Sequence, residues 1–150
     1  AHWLQRLGYT FELPQSSNAF SYYGRGPIEC YCDMCHWATV GMYDSTAEKE
    51  YVNYVFPQEH GNHTEVKMLR IGKLEFTAEK EMEIQVSEYT AHDLYKATHT
   101  DELKKDGKIH VRIDYKNSGV GSNSCGPALP EKYRLSEKTI EFGFSVKPVK

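Results

Sequence analysis

Glu81–Tyr89 reads EMEIQVSEY. Apolar and polar residues alternate with period two. Met82, Ile84 and Val86 fall on one side, Glu81, Glu83 and Gln85 on the other. Successive side chains of a strand point to opposite faces, so the stretch predicts a half-buried β-strand. Its apolar face would pack inward, and Glu79, Glu81 and Glu83 would form a solvated face.

The same pattern spreads outward from this stretch. KIHVRIDYK (Lys108–Lys116) lines up Ile109, Val111 and Ile113, and GYTFEL (Gly8–Leu13) lines up Tyr9, Phe11 and Leu13. TEVKMLRI (Thr64–Ile71) puts Val66, Met68 and Arg70 on one side, and KTIEFGFSV (Lys138–Val146) gathers Ile140, Phe142, Phe144 and Val146. NAFSYYG (Asn18–Gly24), ATVGMY (Ala38–Tyr43), YVNYVF (Tyr51–Phe56) and KLEFTA (Lys73–Ala78) have the apolar runs and turn-type borders of further strands. Gly72 marks a hairpin between two of them. One short helix is predicted within TAHDLYKATHTDEL (Thr90–Leu103). Thr90 is its cap with Asp93 three residues on, and Leu94, Ala97 and Leu103 face inward. NSGVGSNSCGPALP (Asn117–Pro130) is a loop by its glycines, prolines and serines. Eight or nine short strands and one short helix predict an all-β fold, an antiparallel β-sandwich.

Length and charge narrow the function classes. The chain has 150 residues, enough for one domain with a real core, and a net charge of −3. It has no strongly basic balance to engage nucleic acid. It has no run of roughly 18 apolar residues, the minimum for crossing a membrane as a helix. The opening AHWLQRLGYT lacks the basic and apolar regions of a signal peptide, and reads as a chain cut from something longer. Four cysteines permit disulfides, but a chain this long does not need them. Free thiols in a reducing compartment, hence a cytoplasmic location, are expected.

Three of those cysteines crowd into ECYCDMCH (Glu29–His36), together with His36. Cys, Cys, Cys and His are zinc-ligand types. Structural zinc sites, however, usually draw two ligands from each of two knuckles, and no second cluster exists. On a strand the adjacent Cys35 and His36 would point to opposite faces. No metal ligand is therefore assigned, and the cysteines are expected to act as small packing residues. His60 and His63 could face one another across EHGNHT, where a loop-stabilising hydrogen bond is the expected role. Arg25 with Glu29 and Asp33 could form an ion-pair network around the Gly24–Gly26 turn.

The segment YYGRGPIECYCDMCHWATVGMYDSTAEKEYVNYVFPQEHGNHTEVKML (Tyr22–Leu69) resembles the C-terminal domain of large bacterial β-galactosidases of the glycoside hydrolase 2 group. Gly24, Arg25, Gly26, Pro27, Glu29, Tyr31 and Asp33 match one motif of that family. Pro57, Gln58, Glu59, Gly61, Asn62 and Thr64 match a second. His60 and His63 stand where relatives often have Asn and Arg. YTAHDLYKATHTDEL and IDYKNSGVGSNSCGPALPEKYRL resemble the family's last blocks, so the resemblance runs from about Leu7 to Phe144.

The resemblance implies a large supersandwich of the galactose-mutarotase type, with residues 1–150 as roughly its second half. It implies hydrolysis of terminal β-D-galactosides such as lactose by a retaining mechanism, which needs two carboxylates about 5 Å apart. In the family both are glutamates on a barrel domain, so no catalytic residue is assigned in this chain. Magnesium and sodium belong to other domains too, leaving no cofactor here. The family's last Gly-rich block carries a residue, commonly Trp, that stacks on sugar at the active-site mouth. Cys125 holds that position, with Asn123 and Ser124 beside it as substrate-binding residues. The expected partners are a β-galactoside and the remaining domains of the parent enzyme, with a homo-oligomer open because relatives often assemble. Two other readings stay open: a stand-alone carbohydrate-binding sandwich, or the end of the small subunit of a split β-galactosidase. A binding module would be expected to show a row of exposed aromatics, and Trp3 and Trp37 form no such platform.

Overall fold

A computed structural model describes residues 3–121 and 127–150. Among the described residues, seven antiparallel strands run in chain order: β1 (Arg6–Pro14), β2 (Ala19–Gly26), β3 (Thr39–Thr46), β4 (Asn62–Ile71), β5 (Leu74–Ser87), β6 (Lys108–Asn117) and β7 (Phe144–Pro148). One helix, α1 (Ala91–Lys96), lies between β5 and β6. Hydrogen bonding joins the strands in the order β1-β6-β5-β4-β2-β3, with β7 on β5.

β5 is the spine. The stretches KLEFTA and EMEIQVSEY, expected as two strands, form one strand of 14 residues. Its first half pairs with β7, from Leu74↔Pro148 to Ala78↔Phe144. Its second half pairs with β6, from Glu83↔Asp114 to Ser87↔His110. Between Met82 (opposite Val66) and Thr77 (opposite Met68), β5 carries four residues where β4 has only Lys67. Such a bulge bends a strand and sharpens its twist. The sheet folds at this point, so that Phe11 of β1 meets Phe76 of β5 and Phe144 of β7, edge to face, at 5.2 and 6.2 Å between ring centres. The result is an all-β, sandwich-like fold closed over one core.

That core holds Tyr22, Leu69, Phe76, Ile84, Val111 and Ile113, all fully buried. Truncating a residue such as Phe76 to alanine would cost about 3–5 kcal/mol through lost burial and the cavity left behind. The bulges also change the phase of β4. Val66 faces the core, but Leu69 and Ile71 take the next inward positions, leaving Met68 half-buried and Arg70 exposed. The expected Val66–Met68–Arg70 face is corrected accordingly. A slip of one residue exchanges the two faces.

Other expectations shift in extent. Tyr51–Phe56 is not a strand: it forms a loop in which Val55 is fully exposed. Only Phe144–Pro148 of the last stretch pairs as a strand, although Phe142 packs beside Phe144. The hairpin at Gly72 forms, with φ +57°, a conformation that side chains disfavour. The helix starts where expected, the Thr90 hydroxyl accepting the Asp93 amide at 3.1 Å, and it buries Leu94. It lasts only six residues. Among the described residues, no helix is long and apolar enough to cross a membrane.

Candidate functional site

The cysteine-rich stretch folds as a tight turn. Tyr31 and Met34 exchange two backbone hydrogen bonds of 2.9 Å, which puts Cys32 and Asp33 at the tip. The tip reaches the Gly-rich loop that follows β6. The Asp33 carboxylate accepts the Val120 amide at 3.2 Å and the Gly121 amide at 2.9 Å. Gly119 makes room for this approach: a Cβ there would lie 1.9 Å from Asp33 Oδ1. Beside it the Cys32 thiol faces the Asn117 and Tyr133 carbonyls at 3.5 and 3.7 Å, and burial pushes its pKa up to about 11.

The base of the loop is tied from a third direction. Ser118 donates its amide to Gln5 and its hydroxyl to Leu4, both at 2.8 Å, while that hydroxyl accepts the Leu135 amide at 2.9 Å. Arg134 lies over the Trp3 ring at 4.5 Å. The tip, with the sequence-assigned Asn123, Ser124 and Cys125, falls outside the described residues.

The remaining motif residues build the support beneath. Arg25 does not pair with Glu29 and Asp33 as expected. Its guanidinium contacts the Glu65 carboxylate and donates to the Ala38 carbonyl at 2.8 Å. Glu29 instead accepts the Gly61 amide at 2.7 Å and the Tyr54 hydroxyl. Tyr31 donates to Glu59, which also takes Arg6 at 3.0 Å and Gln85 at 2.7 Å. Arg6 continues to Asp114, joining β1 to β6.

The two histidines of EHGNHT have separate partners. His60 Nδ1 meets the Gln58 carbonyl at 2.8 Å, a local loop bond of the expected kind. His63 is buried, with Nε2 at 2.7 Å from Glu50 and Nδ1 at 3.0 Å from the Arg25 carbonyl. Burial works against the charged ring, but hydrogen bonding to Cys30 and Glu50 and the Glu50 charge outweigh it and raise its pKa to about 9. Both nitrogens face acceptors, as an imidazolium requires.

Glu79 and Glu81 are exposed, as expected of a solvated face, but Glu83 is not. It is buried, it accepts Asn62 Nδ2 at 2.8 Å, and burial raises its pKa to about 7 against that hydrogen bond. Gln85 is likewise buried, because the β5 segment 83–87 is covered on both sides. Glu79, Glu81 and Glu83 line a cleft of about 560 Å³ at the β5 bend, with Cys32, Tyr115 and Phe142. Cys30 is buried with its sulfur 3.4 Å from the Thr64 hydroxyl, and Cys30, Cys32 and Cys35 are unbridged. Among the described residues, no three Cys, His, Asp or Glu side chains converge as a metal-ligand group.

Fold and site together define a sandwich-like all-β domain that clamps one Gly-rich loop between its turn 31–34, its β6 end and its N-terminal segment. Residues 1–146 match the family model of the β-galactosidase small chain. A β-galactosidase from Actinobacillus pleuropneumoniae is 38% identical over 144 residues, covering 96% of this chain and 14% of the relative. One from Kluyveromyces lactis is 39% identical over 147 residues, covering 94% and 14%. One from Staphylococcus xylosus is 34% identical over 151 residues, covering 98% and 15%. The chain thus spans about 14% of the length of the curated relatives it matches. It belongs to the β-galactosidase small chain family.

Proposed function

We propose that this chain is the C-terminal part of a glycoside hydrolase 2 β-galactosidase, the second half of its last sandwich domain. It completes the active-site mouth through the 117–127 loop. The parent hydrolyses terminal β-D-galactosides such as lactose with retention of configuration. Its two glutamates, and its magnesium and sodium, sit on other domains. Asn123, Ser124 and Cys125 are assigned as its substrate-binding residues in this chain. The observation that carries this reading is the family match through residues 1–146, with relatives named β-galactosidase of which the chain is about one seventh. The loop geometry supports it: three separate segments hold the loop's base, as a site element needs. Unbridged cysteines suit a reducing, cytoplasmic setting.

What the chain's own residues do follows from that placement. The Asp33 and Ser118 hydrogen bonds fix residues 118–121, the arm by which the chain enters the loop. The Cys125 thiol offers a small apolar contact in place of a stacking ring. Holding residues 118–121 in place before substrate arrives lowers the entropy lost on binding.

The test is a chromogenic β-galactoside assay of the full-length protein and of residues 1–150 alone. The full-length protein turns it over and the chain alone does not. Turnover by the chain alone, after rigorous removal of host galactosidase, would place the chemistry here and overturn the reading.

A further inference from the structure

We propose that Asp33 is a positioning residue for sugar binding, acting through the Val120 and Gly121 amides; this rests on the reading of the 117–127 loop as part of the active-site mouth. Asp33 comes from a segment 87 residues earlier in the chain than Val120. Its two carboxylate oxygens each take one amide, Oδ1 from Val120 and Oδ2 from Gly121. A bidentate carboxylate on consecutive amides fixes the orientation of that peptide and not merely its distance.

Two further features make the grip specific. The Tyr31–Met34 backbone pair leaves Cys32 and Asp33 as the two central residues of the turn, so the carboxylate is presented from a short, hydrogen-bonded base. Gly119 is buried and has no Cβ to block the approach. Any side chain at 119 would push Asp33 off the amides. The sequence therefore supplies both halves of the device, an acid at the turn tip and a glycine opposite it. In sequence, the peptide that Asp33 fixes is the chain's approach to the assigned Asn123, Ser124 and Cys125.

The experiment uses the full-length enzyme with Asp33→Ala, Asp33→Asn, Gly119→Ala and Cys125→Ala. Galactosyl transfer to added glucose against transfer to water gives the acceptor affinity. Steady-state hydrolysis of an activated aryl galactoside gives kcat and KM, and hydrogen exchange reports the amides of 117–121. Asp33→Ala is expected to weaken acceptor affinity about ten-fold, the scale of one charged hydrogen bond, with a smaller loss in kcat. Asp33→Asn, which keeps one acceptor oxygen, should recover part of that loss. Gly119→Ala should reproduce Asp33→Ala, and both should expose the Val120 and Gly121 amides to exchange. Equal losses in kcat and acceptor affinity, with no partial recovery in Asp33→Asn, would reduce Asp33 to a structural residue and overturn the proposal. Acceptor affinity altered by Cys125→Ala but not by Asp33→Ala would overturn it while leaving the loop at the site. Acceptor affinity altered by none of the four variants would remove the loop from the site as well.

Discussion

His63 Nε2 lies 2.7 Å from a Glu50 carboxylate oxygen, and both residues are buried. Tyr22 closes the same nest, its hydroxyl 3.0 Å from His63 Nδ1. The histidine pKa rises from 6.5 unfolded to about 9 folded. The folded state therefore holds the proton more tightly. The stability this contributes is fully present below pH 6.5 and is lost as pH rises through 9. A shift of that size corresponds to a few kcal/mol. Unfolding of the chain by denaturant between pH 6 and 10 should show this decline, and His63→Gln should flatten it. An unchanged slope in His63→Gln would contradict the assignment.

Glu83 gives a second pH dependence in a lower window. Its carboxyl rises from 4.5 to about 7 on folding, mainly through burial. Again the folded state binds the proton more tightly, so the stability this group contributes is fully present below pH 4.5 and is lost as pH rises through 7. Glu83→Gln keeps an acceptor for Asn62 without the charge. It should be more stable than the parent chain at pH 8, and less sensitive to pH between 4.5 and 7. A Glu83→Gln chain that is less stable at pH 8 would mean the charged form is the one the fold favours.

The cysteine stretch is expected to carry far less than one zinc per chain when purified without added metal. Cys30 packs against Thr64, and Cys32 faces two backbone carbonyls at the loop base. Elemental analysis checks this. Near-stoichiometric zinc, lost in Cys30→Ser and Cys32→Ser, would contradict it.

Particular residues explain how far the sequence could be read. Alternation at Ile109, Val111 and Ile113 and at Met82, Ile84 and Val86 predicts strands that the structure contains, since these side chains share one core. Alternation cannot show that the opposite face is covered too, which is why Glu83 and Gln85 were expected in solvent. Val66 and Leu69 share the core only because a bulge intervenes, and a bulge leaves no mark on period two. Tyr51–Phe56 has strand-type residues but pairs with no strand among the described residues. At the candidate site the loop was legible from its glycines. The Asp33 clamp was not, because it joins residues far apart in the chain through one turn tip. The motif match flagged Asp33, but no local pattern distinguishes a loop anchor from a surface carboxylate.

We propose that this chain contributes the 117–127 loop to the sugar site, with Cys125 as a substrate-binding residue. Replacing Cys125 by Trp in the full-length enzyme supplies a stacking face worth on the order of 1 kcal/mol. The glucose dependence of product partitioning, measured for the Cys125, Cys125→Trp and Cys125→Ala enzymes, should then show acceptor affinity about five-fold higher for Cys125→Trp. Identical acceptor affinity in all three enzymes would contradict the claim.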